Sequence, residues 1–245
     1  MDRSQDPSGA SSLVLRIRPR TVGKIFLTMV AVLVAIHTVC QVVEYRRGRY
    51  DVYGIMEWFI LWSEATVPTW YSSSSLLVCA ALLGLIAWVT KRAGEPGVIY
   101  WAGLACLFVF VSLDEAIALH EELVGPVRER LGLGGPLYFA WVVPYGLAMA
   151  VLATLYFRFI WALPGRTRAL FITAAATFLG GAVGVEMIGS ALYEAGDYQR
   201  TVPLDIAASV EETLEMLGVA VFIYALCDYM GTRYGFVRIS FSEAG

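Results

Sequence analysis

The ionisable residues of this chain fall where ionisable residues are costly. Ser112-Leu113-Asp114-Glu115 is followed closely by His120-Glu121, all at the end of an apolar run. Glu186 stands inside a glycine-rich apolar run, and Glu215 inside another that opens with Glu211 and Glu212. Glu64 lies just before a further run. A charged side chain at a bilayer centre costs about 2.5–3.5 kcal/mol or more, less near the interface, and Asp and Glu are too short to reach far toward water. Several unpaired carboxylates at one depth also repel one another, so shared protons, a bound cation or arginine partners must neutralise them.

Such a group can hold a divalent metal ion, polarise a substrate oxygen through it, and supply a general base. The candidate metal ligands are Asp114, Glu115, His120, Glu121, Glu186, Glu212, Glu215 and Glu64. Asp114, Glu115 and Glu215 are the candidate catalytic carboxylates. The candidate cofactor is a divalent ion whose identity the residues leave open.

Spacing refines the picture. On a regular helix Asp114 shares a face with Glu121, and Glu115 with Glu122, while His120 points about 120° away from Asp114. One metal takes both Asp114 and His120 only if the helix distorts, or if a binuclear site draws on Glu186 and Glu215. The E-x-x-H pairs of soluble di-iron bundles are absent. So are G-x-S-x-G, H-E-x-x-H and a glycine-rich phosphate loop.

Some of these residues have ordinary readings. Ser209-Val210-Glu211-Glu212 matches a capping box at a helix start, which accounts for Glu211 and Glu212 but not for Glu215. Glu122 reads as a solvated residue, Glu64 as an interfacial one, and His37 as a packed core histidine. The serines 72–75 read as groups that satisfy backbone or pack helices.

The elements that must carry these groups follow from composition. Of 245 residues, 58% are hydrophobic and only 16% charged, and the mean hydropathy is +0.65. Those values exclude an ordinary soluble domain, a disordered chain and a disulfide scaffold. A net charge of −3 without a basic patch points away from nucleic acid. Cys40, Cys79, Cys106 and Cys227 show no C-x-x-C spacing and read as small packing residues.

Six apolar runs, at 24–43, 70–89, 98–119, 137–161, 168–192 and 210–228, are each long enough to cross a bilayer. The expected fold is all-α: a polytopic membrane protein with one bundle of six transmembrane helices spanning 21–232. Short cytoplasmic tails are expected at 1–20, loose over its first 13 residues, and at 233–245. Pro144 is expected to kink the fourth span. Gly180 and Gly184, with Gly181 beside them, read as a close-packing face. The apolar segment 53–62 is too short to span, and its location at the interface or dipping inward stays open.

With both termini inside, the inner segments hold twelve of the 18 Lys and Arg residues. The outer loops hold six: Arg46, Arg47, Arg49, Arg128, Arg130 and Arg200. That orientation places the chain in the cell (inner) membrane, with the carboxylates one to two turns below the extracytoplasmic face.

At these residues the sequence resembles a group of uncharacterised bacterial multi-pass membrane proteins. The shared pattern is Glu64 with Pro68-Thr69-Trp70, then Ser112-Leu113-Asp114-Glu115 with His120-Glu121, then Glu186, then Glu211-Glu212, Glu215-Met216 and Gly218. The resemblance covers the chain from the first run to the sixth and implies that the acidic layer is a family feature; it carries no activity. A looser likeness to the alkaline ceramidase and progestin-receptor superfamily rests on Ser112 and Asp114. With two histidines and no H-x-x-x-H, the three-histidine zinc site of that superfamily is excluded.

Three functions are consistent with these residues. One is a divalent-metal-dependent enzyme acting on a lipid or other small membrane substrate. Another is a cation- or proton-coupled transporter, and the third a non-catalytic membrane subunit or sensor. The lipid bilayer is the one partner common to all three, and the oligomeric state stays open.

Overall fold

The computed structural model describes residues 11–15, 18–47, 54–235 and 237–241. Eight α-helices make up almost all of it: α1 (Pro19–Arg47), α2 (Val67–Arg92), α3 (Val98–Ile117), α4 (Val124–Leu131), α5 (Val142–Ala162), α6 (Gly165–Leu179), α7 (Glu186–Ala195) and α8 (Val202–Tyr234). A single π-helical turn, Gly180–Val185, joins α6 to α7 without a break. Two short strands, β1 (Ser11–Leu15) and β2 (Val237–Phe241), pair antiparallel with Leu13 opposite Ile239. The expected loose N-terminal tail is therefore corrected over 11–13, where an edge strand finds a partner in the other terminus. The terminal segments thus lie together.

The helices begin and end where local chemistry dictates. Thr66 caps α2 by accepting from the Thr69 amide, and Pro68 sits in the first turn, where its missing N–H costs nothing. Gly94 and Gly97 supply the left-handed backbone that turns α2 back into α3. Helix α8 starts at Thr201, with Pro203 in its first turn. The expected capping box at Ser209 is therefore corrected. Ser209 lies two turns inside the helix, and its hydroxyl donates to the Asp205 carbonyl at 2.6 Å. Pro144 also reads differently from expectation. Helix α5 begins at Val142, so Pro144 occupies its first turn and kinks nothing.

Helix α8 is the axis of the bundle. Ile223, Ala225 and Leu226 are fully buried against Leu83 and Ile86 of α2, Trp101 of α3 and Phe171 of α6. A second cluster joins Met216 of α8 to Val30 and Leu33 of α1 and to Leu61 and Tyr71. Helix α5 lies outside, its most apolar stretch wholly unburied within the chain. Five helical segments, Pro19–Arg46, Val67–Arg92, Val98–Ile117, Val142–Ala162 and Gly165–Ala195, are long and apolar enough to cross a membrane. They turn large apolar side chains outward, among them Ile99, Leu147, Leu155 and Phe157. An outer surface of that kind is far more apolar than a soluble monomer's.

Close approach of α6 and α8 depends on two glycines. A Cβ on Gly218 would stand 2.7 Å from the Phe178 backbone nitrogen. One on Gly181 would stand 2.7 Å from the Glu211 carbonyl oxygen. Gly180 and Gly184, the expected packing pair, have nothing within 4 Å. The π turn adds a residue to the helix, so Gly181 rather than its neighbours faces α8.

All four cysteines are free; Cys40, Cys79 and Cys227 are buried and Cys106 is exposed. The serine run behaves as read: Ser73 and Ser112 hydrogen-bond to one another and to each other's carbonyls, tying α2 to α3.

Candidate functional site

The carboxylates come together where α3, α7, α8 and the turn after α3 meet. Helix α3 ends at Ile117 because Ala118 adopts a left-handed conformation, φ 48°, which folds the chain back on itself. That reversal is the distortion the spacing required. It brings the His120 ring to the Asp114 carboxylate, Nδ1 to Oδ2 at 3.2 Å. Asp114 Oδ1 also accepts the His120 backbone N–H at 2.9 Å and the Tyr145 hydroxyl at 3.1 Å. Asp114 is buried, but all of its partners are donors from this local network.

Glu115 points the other way, toward α8. It is within electrostatic reach of Glu212 and Glu215. Glu186, at the start of α7, accepts from the Trp141 indole N–H at 2.8 Å and lies within hydrogen-bonding reach of Glu211. For two carboxyl groups to bond, one must carry a proton. Glu64 and Glu121 lie within reach of one another at the rim, where the Glu121 carboxyl is partly enclosed although its residue as a whole is exposed. Glu115, Glu186, Glu211, Glu212 and Glu215 are all half-buried. Ser190 of α7 accepts the Phe139 backbone N–H at 2.7 Å, and Glu194 accepts from the Gly135 N–H; together they anchor the segment leading into Trp141 and Tyr145.

The two groups outside the helical runs are held in shifted states. Burial works against a charged His120. The hydrogen bond and charge of Asp114, with Glu121 and Glu115, outweigh it and raise the imidazole above its ordinary range. Burial, then the charge of Glu64, push Glu121 above the usual carboxyl range.

The local charge balance is one-sided. Among the described residues the arginine–carboxylate ion pairs are Arg166–Asp228, Arg200–Asp205 and Arg233–Glu95, none in this cluster. Arg128, the nearest in sequence, stacks on the Tyr138 ring at 4.2 Å. His120 is thus the one basic side chain that meets the cluster among the described ion pairs. The donor set is carboxylate oxygens with a single imidazole, hard and borderline donors. Among the described residues no three His, Cys, Asp or Glu side chains stand ready-made around one metal position.

All eight sequence-derived ligand candidates fall in or at the edge of this region, in two sublayers. Glu115, Glu186, Glu212 and Glu215 form the inner one. Glu64, Glu121 and His120 form the rim, with Asp114 behind His120. Sequence reasoning passed over Glu211, Trp141 and Tyr145. The i, i+4 relation of Glu211 to Glu215, and of Trp141 to Tyr145, is the signal that marks each pair as one face.

A second polar network sits apart from the first. His37 of α1, 1% exposed, bonds Ser209 Oγ at 3.0 Å and accepts the Leu61 N–H at 3.3 Å. Four and eight residues on, Gln41 and Tyr45 continue the same face, and Tyr45 donates to Asp205 at 2.5 Å. Arg200 pairs with Asp205 and stacks on Trp62, whose ring also meets His37 edge-on. Both amide atoms of Gln41 and the Trp62 indole nitrogen are buried without a partner. This network pins α1 and the 54–66 segment to α8, and it is the packed role expected of His37.

The site and the five apolar helices thus define a class: a helical protein with a carboxylate-lined interior and an outer surface suited to lipid. Residues 19–229 match the family described as a domain of unknown function, DUF8692, and the chain belongs to it. No curated protein and no solved structure matches the chain.

Proposed function

We propose that this is a multi-pass membrane protein whose carboxylate layer binds a divalent cation and acts on a lipid or other membrane-partitioned substrate. The observation that carries the reading is the charge imbalance: five carboxylates on α3, α7 and α8 lie close to one another, and among the described residues no lysine or arginine pairs with them. A bound divalent ion would polarise a substrate oxygen and acidify a coordinated water. Glu115, Glu186, Glu212 and Glu215 are the residues that would hold it. His120 would complete its coordination from the rim, Glu211 would take and return protons, and Trp141 and Tyr145 wall the site on the α5 side. The outward-facing apolar side chains suit a protein that meets a membrane-partitioned substrate. The site belongs near the extracytoplasmic face, with both termini cytoplasmic and six helices in the bundle, α8 being the inner one.

The test is divalent-dependent conversion of membrane lipids. Purified protein in liposomes of a total bacterial lipid extract is incubated with Mg²⁺, Mn²⁺ or Zn²⁺, or with chelator, and the lipids are profiled by mass spectrometry. A metal-dependent product absent with Glu212→Gln supports the reading. No change in any lipid with any ion contradicts it. One observation favours a second reading, proton- or cation-coupled transport: Glu186 lies beside Glu211 and Glu64 beside Glu121, and neighbouring carboxyls of this kind are suited to sharing a proton. Ion flux without lipid conversion would support that alternative.

A further inference from the structure

The two carboxylates of Asp114-Glu115 have different employment. Glu115 faces the carboxylates of α8, whereas the Asp114 oxygens are committed to donors. Oδ1 accepts the His120 backbone N–H and the Tyr145 hydroxyl, and Oδ2 faces His120 Nδ1. Only 7% of Asp114 is exposed. A carboxylate so occupied is a poor metal ligand and a poor base. It is well placed to do something else. An acceptor that stands at Nδ1 requires the imidazole proton on Nδ1. That leaves Nε2 with a free lone pair. Among the described residues Nε2 has no hydrogen-bond partner, and the side chain keeps 24% of its surface. Trp141, at 4.8 Å between ring centroids, and Tyr145, at 6.3 Å, flank the imidazole and limit its rotation.

We infer that Asp114 is a positioning residue: it locks His120 in the Nδ1–H form, so that Nε2 is the nitrogen offered to the carboxylate layer. This rests on the proposed cation site for its purpose, though not for its geometry. Carboxylates standing behind a functional imidazole act in this way at both metal and acid–base sites. The other histidine provides an internal contrast. His37 Nδ1 accepts the Leu61 N–H, so its proton is on Nε2 and goes to Ser209 Oγ, whose own proton goes to the Asp205 carbonyl. The chain's only two histidines are therefore held in opposite tautomers.

The test is ¹⁵N-histidine NMR on chelator-treated full-length protein at alkaline pH, reading the ring nitrogens through two-bond proton correlations. Wild type should show one histidine of each neutral tautomer. His37→Gln, outside the site, should leave only the Nδ1–H form. Asp114→Asn turns an amide N–H toward Nδ1, and His120 should then switch to the Nε2–H form. Mn²⁺ affinity of that variant should fall roughly 10- to 100-fold, as when the outer partner of a ligating histidine is removed. An Nε2–H His120 in the wild type or in His37→Gln overturns the inference, as does an unchanged tautomer in Asp114→Asn. Because the spectra are metal-free, the two readings fail separately. Expected tautomers with no Mn²⁺ binding by wild type would sink the cation site and still support the positioning role.

Discussion

Replacing Gly218 by alanine should part α8 from α6 and loosen the carboxylate layer with it. The new Cβ would stand 2.7 Å from the Phe178 nitrogen, 2.8 Å from its Cβ and 2.9 Å from its Cα. Two of these are backbone atoms of a helix, which cannot rotate away. Favourable heavy-atom contact begins near 3.5 Å, so the helices must separate by roughly 0.7 Å. Overpacking of this kind costs about 1–3 kcal/mol, and a contact against backbone belongs at the upper end. Alanine recovers up to about 1 kcal/mol of helix propensity. The net expectation is a loss of about 2 kcal/mol. Gly181→Ala should lose somewhat less, since two of its three close contacts, Leu214 Cβ at 3.0 Å and Glu215 Cγ at 3.3 Å, are side-chain atoms. Gly180→Ala and Gly184→Ala meet nothing within 4 Å and should gain about 0.5–1 kcal/mol. Thermal unfolding of all four variants in one detergent, with Mn²⁺ affinity measured alongside, gives the comparison. A Gly218→Ala protein as stable as Gly180→Ala would refute the close-packing argument.

Three further outcomes follow from particular residues. Gln41→Leu removes two buried polar atoms that have no partner and should raise stability by about 1 kcal/mol; a fall in melting temperature would reveal a partner for the amide. Ala118→Gly relieves a left-handed alanine and should stabilise by about 1 kcal/mol, while releasing the turn that holds His120; an unchanged or lower melting temperature would count against strain at that turn. His120 and Glu121 are both raised, so each holds its proton more tightly in the folded state than in the unfolded one, and the stability each contributes falls as pH rises. The Glu121 part is lost as pH climbs from its ordinary value of 4.5, and the His120 part from 6.5, each until its raised value is passed. The melting temperature of chelated wild type minus that of chelated Glu121→Gln should decline as pH rises across that range. A difference that rises with pH would contradict the sign.

Much of this architecture was legible because bilayer length and apolar composition leave few alternatives. The six runs all lie in helical segments, five of them long and apolar enough to cross a membrane, and the convergence of Asp114, Glu115, Glu186 and Glu215 follows from their places toward the same end of neighbouring helices. What was not legible depends on local departures from helix geometry. The left-handed turn at Ala118 reversed the geometry between Asp114 and His120, which a regular helix would hold about 120° apart. The π turn at Gly180–Val185 exchanged the packing roles of Gly180 and Gly181. Ser209 was misleading because a capping-box pattern inside a long helix has the same spelling as one at its start; Thr201 and Pro203 are the better start signals. Glu211 was hidden by the same error.

The most direct test of the central claim is elemental analysis by plasma mass spectrometry. Wild-type protein is purified in mild detergent, with divalent ions supplied and no chelator, beside a Glu212→Gln/Glu215→Gln variant of equal thermal stability. The account predicts a stoichiometric divalent metal in the wild type that is lost in the variant. A well-folded wild type that retains no metal, or a variant that retains it fully, would contradict the assignment of the carboxylate layer as a cation site.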